Sequence, residues 1–519
     1  MEKYSNRSIA KSAGVIGIAT FASRLLGFAR DIVIARLFGI RIYAQAFVIA
    51  FKIPNLLRDF LGEGATNAAF VPVFSDYAVK HSKEEFWHLA NVVLNLLLIV
   101  LSLLTLAGML FSPLIVRLIA PGFIADAEKL QATVRLTRII FPYIMLIGLA
   151  AYSMGILNSL KHFSVPAFAP CLLNISIIIF ANIYSQGITG LALGVLVGGF
   201  LQLAVQIPVL YSKGMRIKLF KSFRHPAAFA IGRLMLPRVF SSTIYQLNNF
   251  VDSIFGSLAF IVGEGGVAVL YFSYRLIQFP IGIFSNALSQ AMLPSLSAQA
   301  AQDERKDLKH TFSFGLRATF FMMLPASFGF MALAKPIISV LFQGGEFDAA
   351  SAKVTSNALF FYSIGLFAFG AKKVIQTVFF ALKDTVTPAR VAFITLIINI
   401  ALNACLMFPL KIAGLALATS VSGIIGFLIL FADLKKRLSP INSGEIIVSF
   451  LRIFLASAAM ALVCYALSLR LALTGSVINK ALGLAVLLLS GAASYLFFCF
   501  ILRVGELKEL CRWIIATRR

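Results

Sequence analysis

Apolar runs long enough to cross a bilayer recur from one end of this sequence to the other, and they restrict the fold more than any motif does. A spanning helix needs about 20 mostly apolar residues. Such runs occur near 12–38, 44–73, 88–117, 134–158, 163–185, 187–211, 228–260, 266–296, 312–342, 355–381, 386–409, 411–432, 447–469 and 480–502. The fold class this predicts is an all-α polytopic membrane protein with about 14 transmembrane helices, because in lipid a helix satisfies its own backbone. Of the 519 residues, 60% are hydrophobic and only 13% charged, with a mean hydropathy of +0.91. Soluble domains are about 45–50% apolar and about 25% charged, so a water-soluble fold is excluded.

The charge is one-sided: 46 Lys and Arg against 21 Asp and Glu, a formal +25. In a soluble chain that excess would suggest nucleic acid. In one this apolar it points to cytoplasmic loops or to an anionic ligand held inside, and no nucleic-acid partner is expected. An even number of spans puts both termini on one side. With that side cytoplasmic, the inner segments hold Lys3, Arg7, Lys11, Lys80, Lys83, Lys161, the cluster Lys213, Arg216, Lys218, Lys221 and Arg224, and a basic C-terminal tail. The outer loops hold only Arg41, Lys129, Arg135, Lys353, Lys411, Arg470 and Lys480, roughly a threefold asymmetry. Segment 213–225, apolar and basic, is expected to lie on an anionic inner leaflet.

The sequence also repeats itself. AAFVPVFS at 68–75 matches QAMLPSLS at 290–297, and LKHFSVPA at 160–167 matches LKDTVTPA at 382–389, each 222 residues apart. PLIVRLIAPG from Pro113 resembles PIISVLFQGG from Pro336 at an offset of 223. A repeat of six helices preserves orientation, so the halves are expected to be parallel repeats about an axis along the membrane normal. The organisation predicted is an N-terminal lobe at 1–222, a second lobe at 223–444, and two additional helices at 445–519. A binding site is expected where the halves face one another.

Ionisable residues inside the spans carry the functional information, since each costs a few kcal/mol at mid-bilayer unless it faces a polar interior. The first helix contains Arg24, Arg30, Asp31 and Arg36. In the second, Lys52, Asn55, Asp59 and Glu63 share a face, with Arg58 beside it and Pro54 interrupting the backbone ladder. Later spans carry Arg233, Arg238, Asp252, Arg275, Arg317, Lys372 and Lys373. Arg36, Arg138, Arg233 and Arg317 sit near predicted helix ends, where a long side chain snorkels to the interface. Asp59 and Glu63 either pair with Lys52 or Arg58 structurally or serve gating, and Asp252 is either a structural partner or an ion site. Arg24, Arg30, Arg58 and Arg275 are the candidate cavity residues, because a planar guanidinium keeps its charge when buried and grips phosphate with two bonds. No P-loop is present, the five cysteines form no CxxC, and the five histidines form no HExxH. Neither an enzymatic activity nor a metal or cofactor is expected.

SRLLGFARD (23–31), AFKIPNLLRDFLGEGATNAAFVPVFSDY (50–77), GILNSLKHFSVPAFAPCLLNIS (155–176), YRLIQFP (274–280), LFQGGEF (341–347) and FFALKDTVTPAR (379–390) resemble the MurJ (MviN) lipid II flippase family. This family belongs to the multidrug/oligosaccharidyl-lipid/polysaccharide exporter superfamily. The resemblance implies transport of the undecaprenyl-pyrophosphate-linked peptidoglycan precursor from the inner to the outer leaflet of the bacterial cytoplasmic membrane. It implies two lobes enclosing a cationic cavity and a groove for the lipid tail formed by the last two helices. The family's important arginines fall on Arg24, Arg30, Arg58 and Arg275, and its acidic positions on Asp31 and Glu63. The sequence departs from many relatives at Gln45, Tyr274 and Gln278, where those have carboxylates. The loss makes the cavity more positive and weakens any gating role carried over from these positions.

The mechanism expected is alternating access by rocking of the lobes, with the arginines on the pyrophosphate and a coupling cation or the membrane potential biasing the cycle. Asp31, Asp59, Glu63 and Asp252 are the candidate gating or coupling residues. The alternatives are a flippase for another polyprenyl-linked glycan and a cation-coupled multidrug exporter. The latter would want a carboxylate-dominated chamber, which an arginine-rich first helix opposes.

Overall fold

The computed structural model describes residues 6–58, 69–184, 187–219, 222–302, 304–438, 443–471 and 475–507. Candidate residues Asp59 and Glu63 and the tail beyond Glu506–Leu507 lie outside them. Two compact units divide the chain, Met1–Leu258 and Ala259–Arg519. The first holds α1 (Asn6–Phe38), α2 (Ile42–Arg58), α3 (Val71–Lys80), α4 (Lys83–Leu110), α5 (Ser112–Ile119), α6 (Ala127–Ile140), α7 (Tyr143–Ser159), α8 (Ser164–Ile183), α9 (Ile188–Ala204), α10 (Ile207–Ser212) and α11 (Pro226–Ser257). The second holds α12 (Ala259–Val262), α13 (Gly266–Pro280), α14 (Asn286–Ala301), α15 (Arg305–Leu341), α16 (Ala349–Ala381), α17 (Val386–Arg437), α18 (Ser443–Arg470) and α19 (Val477–Ile501).

Among the described residues, ten helices are long and apolar enough to cross a membrane, where the sequence predicts about fourteen spans. Part of the difference has a clear origin. The 52 residues of α17 are two helical arms meeting at a kink at Lys411 (φ 54, ψ −132), where the sequence predicts a break. The arms fold back on one another so that Asn399 donates to Thr419 Oγ1 and Ser422 Oγ. Counted as one helix, they supply two of the predicted spans. Predicted spans 12–38, 44–73 and 228–260 are not among the ten, although α1, α2 and α11 are helical there over the described residues.

Local chemistry sets the helix ends, and it recurs at the spacing of the sequence repeat. Asp126 caps α6 by accepting the Lys129 N–H, and Asp348 caps α16 by accepting the Ser351 N–H; the two aspartates are 222 residues apart. The starts of α4 (Lys83) and α15 (Arg305) stand at the same offset, as do the ends of α7 (Ser159) and α16 (Ala381) and the starts of α8 (Ser164) and α17 (Val386). Lys161 (φ 64) and Lys383 (φ 59) both take the left-handed conformation. In each turn the N–H of the following residue, His162 or Asp384, closes back on the carbonyl of Leu157 or Phe379. Left-handed backbone costs a non-glycine residue about 1–2 kcal/mol, so its recurrence at equivalent positions reflects a shared turn. Even the kink in α15 at Leu333 (φ −111, ψ 17) falls at the place of Phe111 (φ −86, ψ 9), where α4 gives way to α5.

Packing follows membrane rules, in which close backbone approach replaces the hydrophobic drive between helices. Gly190, Gly194 and Gly198 form a small-residue stripe on α9 against α8; a Cβ on Gly194 would stand 2.8 Å from the Ile177 Cα. Aromatic contacts then fill the first unit, with Phe70 and Phe74 ringing the buried Tyr152, whose hydroxyl donates to the Ala90 carbonyl at 2.6 Å. The seventh predicted span packs with this unit: the Gly122 N–H donates to Ser257 Oγ at 3.0 Å, fastening α11 beside α5. In the second unit α18 and α19 pack on α15, where the Tyr495 hydroxyl donates to the Phe321 carbonyl at 2.7 Å.

Gly194→Ala opposes a helix-propensity gain of about 1 kcal/mol to a clash with backbone that cannot swing away. Overpacking of this kind costs about 1–3 kcal/mol, so the variant is expected to melt below wild type in detergent. An unchanged or raised melting temperature would refute the close α8–α9 contact.

Candidate functional site

The first helix divides its charges into a buried set and an accessible one. Arg30 and Asp31 are 5% and 0% exposed. Arg30 Nε and Nη2 donate to Asp31 Oδ1 at 3.0 and 2.7 Å, and Nη1 donates to Asn174 Oδ1 on α8 at 3.2 Å. Asn174 in turn donates to the carbonyls of Ser23 and Pro170. The guanidinium, neutralised by the Asp31 carboxylate of its own helix, therefore holds α1 to α8 through the Asn174 amide. Arg24, one and a half turns earlier, is exposed and has no hydrogen-bond or ion-pair partner among the described residues. A long cationic side chain with this freedom can reach an anion without first breaking a protein contact.

On α2, Lys52 donates to Ser253 Oγ of α11 and sits over the Phe250 ring at 5.5 Å, with the Asp252 carboxylate close enough to act on its charge. Lys52 thus ties α2 to α11 through Ser253 within the first unit. Arg58, the last residue of α2, is half-buried, and Gln45 is buried with its Nε2 lacking an acceptor among the described residues. In the second unit Arg275 of α13 is half-buried. Its neighbour Tyr274 packs on Tyr362 of α16 at 5.4 Å, and Gln278 is exposed. The structure thus brings Arg30 together with Asp31, and Lys52 with Asp252.

Sequence reasoning missed the asparagines. Asn174 reads as one polar residue in an apolar helix, yet it completes the Arg30 cluster. Asn91 and Asn95, one turn apart on α4, hold the basic segment. Asn91 donates to the Arg216 carbonyl and accepts the Lys218 N–H, while Asn95 donates to the carbonyls of Lys218 and Ser222. The i, i+4 spacing of two asparagines in the predicted span 88–117 was the available signal.

Among the described residues outside the spans, His225 and Asp384 have shifted protonation. His225 caps α11 by accepting the Ala227 N–H on Nδ1 at 3.2 Å, with His88 at 5.7 Å and Tyr77 at 5.5 Å between ring centroids. Burial, then the charge of His88, lowers the His225 pKa, Glu85 opposing and His81 adding to the effect. At Asp384 burial works against ionisation. Hydrogen bonds from Thr387 and Val386 and the Arg437 guanidinium at 2.7 Å nevertheless hold the carboxyl below its ordinary value.

Comparison with known proteins gives a consistent result. The profile of the family described as Lipid II flippase MurJ matches residues 34–486. A relative described as a probable lipid II flippase MurJ, from Buchnera aphidicola subsp. Acyrthosiphon pisum (strain APS), is 34% identical over 500 residues, covering 95% of this chain and 97% of its own. A solved lipid II flippase MurJ in an inward closed conformation superposes with a TM-score of 0.78 at 30% identity, covering 94% of this chain and 98% of that one. An inward-facing multidrug resistance MATE family transporter of the MOP superfamily superposes at 0.69 with 17% identity, over 81% of this chain and 96% of its own, a likeness of fold alone.

Removing one partner of a buried pair strands the other charge. Asp31→Asn is expected to cost about 3–5 kcal/mol, and the apolar double variant Arg30→Met/Asp31→Leu less than that. Unfolding in detergent measures both, and a double variant less stable than Asp31→Asn would count against the ion pair. For His225 the folded state favours the neutral ring. Its stabilisation is full above the unfolded pKa of about 6.5 and is lost as pH falls through the lower folded value. His225→Asn keeps a capping acceptor without titrating, so its melting temperature is expected to fall less than that of wild type between about pH 8 and pH 5.

Proposed function

Because the chain belongs to the lipid II flippase MurJ family, we propose that it carries lipid II from the inner to the outer leaflet of the cytoplasmic membrane by alternating access. It is a multi-pass membrane transporter, not an enzyme, and its role lies in peptidoglycan synthesis. The observation that carries this reading is similarity over nearly the full length, with 34% identity across 95% of the chain.

The physical task is to move a charged pyrophosphate and its sugars through hydrocarbon, where an unpaired charge costs several kcal/mol. We assign the pyrophosphate to Arg24, Arg30, Arg58 and Arg275, whose guanidinium groups offer two parallel bonds to a phosphate. Support comes from the accessibility of Arg24 and the half-burial of Arg58 and Arg275. Arg30, its fork already on Asp31 and Asn174, contributes field and position more than direct contact. Asp31, Asp59, Glu63 and Asp252 are the carboxylates through which a cation or the membrane potential would bias the cycle. The recurrence of helix ends at 222 residues supports reading the chain as parallel repeats at 1–222 and 223–444, with 445–519 added. The basic inner segments support placing both termini in the cytoplasm and counting about fourteen crossings.

Single alanine substitutions of Arg24, Arg58 and Arg275 are expected to lower lipid II translocation by about tenfold or more each, the loss of one charge-assisted contact. Arg30→Ala should lower translocation together with the amount of folded protein. Lipid II exposure at the outer leaflet is the readout after depletion of the wild-type protein. Wild-type translocation in all four would sink the assignment, and accumulation of a different lipid-linked glycan would overturn the substrate.

A further inference from the structure

At the end of α4 opposite the basic segment, α5 and α6 enclose a cleft of about 590 Å3. Arg117 of α5 and Arg135 and Arg138 of α6 line it, with Pro113, Leu130 and Val134 as apolar wall, and no carboxylate is among its lining residues. Arg138 Nε donates to Ser112 Oγ at 3.0 Å, which fixes that guanidinium at the mouth. Arg117 and Arg135 are exposed and have no acidic partner among the described residues. Three like charges on one cleft repel one another unless an anion sits among them. Their position needs a reason as well, since by the positive-inside bias this is the outer end, where cations are sparse. Beside the cleft, Leu114 and Leu118 of α5 are 54% and 65% exposed, and Phe111 is 54% exposed. A cationic cleft bordered by bare hydrocarbon matches a molecule with a phosphate at one end and acyl chains at the other.

We infer that the α5–α6 cleft binds an anionic glycerophospholipid of the outer leaflet, its phosphate on Arg117, Arg135 and Arg138 and its chains over Leu114 and Leu118. The cleft suits a phosphoglycerol head better than a lipid-linked disaccharide-peptide, which is several times larger and would need hydrogen-bond acceptors as well as donors, where Gln131 is the one side-chain acceptor in the lining. None of the residues assigned to translocation lines this cleft, so its lipid does not depend on which precursor the protein carries.

The test uses the full-length protein in phosphatidylcholine nanodiscs with and without phosphatidylglycerol, and native mass spectrometry counts retained lipid. Wild type should retain phosphatidylglycerol over phosphatidylcholine, and Arg117→Gln/Arg135→Gln/Arg138→Gln should lose that preference by about tenfold or more. The exposed single variant Arg135→Gln should lose part of it, and Arg135→Lys less. Equal retention by wild type and the triple variant would overturn the proposal. So would displacement of phosphatidylglycerol by inorganic phosphate, which would mark a plain anion site, or its preferential displacement by lipid II, which would make the cleft a substrate station.

Discussion

Hydrocarbon offers no partner to a polar side chain, so each charge on a membrane helix must find one within the protein, reach an interface, or wait for a ligand. That constraint organises this molecule. Arg30 meets Asp31 and Asn174; Lys52 meets Ser253 and the face of Phe250. Arg317 of α15 meets Glu506, which also accepts from Ser449 of α18, so the C-terminal segment is held by a buried carboxylate. Arg24 has no such partner among the described residues and stands in the accessible class. The same rule therefore yields both the ties that hold helices together and the charge left accessible on α1.

The second organising feature is the recurrence of local structure at an offset of 222 residues, closest where chemistry is most local. Caps at Asp126 and Asp348 and left-handed lysines at 161 and 383 stand at that offset. The packing around them has diverged. Pro142 separates α6 from α7, while the equivalent stretch of α16 is uninterrupted over 33 residues. Position 162 is a histidine in one turn. Its counterpart Asp384 gathers Thr387 and Arg437 in the other. Turn geometry persists because backbone hydrogen bonds enforce it, whereas side chains facing different neighbours are free to change.

Much of the fold was legible in the sequence, because apolar length and proline-marked turns are local properties. The repeat could be read from LKHFSVPA and LKDTVTPA, and the membrane class from hydropathy. The break expected between 409 and 411 is the kink at Lys411, where the two arms of α17 meet. Site residues were legible as residue types but not as partnerships. Arg24 and Arg30 look alike in the sequence, and only the arrival of Asn174 from 144 positions away sets them apart. Likewise Lys52 and Asp252 came from separate arguments, and their proximity depends on α11 packing with the first unit.

The basic stretch 215–219 gains a further property from its attachment to α4. Asn91 and Asn95 fix its backbone, while Arg216, Ile217, Lys218 and Leu219 stay exposed. A loose tether adsorbing on a charged surface must give up about 1–2 kcal/mol of backbone freedom for each residue it orders. Here folding has already imposed that order, so attraction to an anionic leaflet is opposed by little remaining entropy. Over its described residues the segment is a preorganised plate rather than a string.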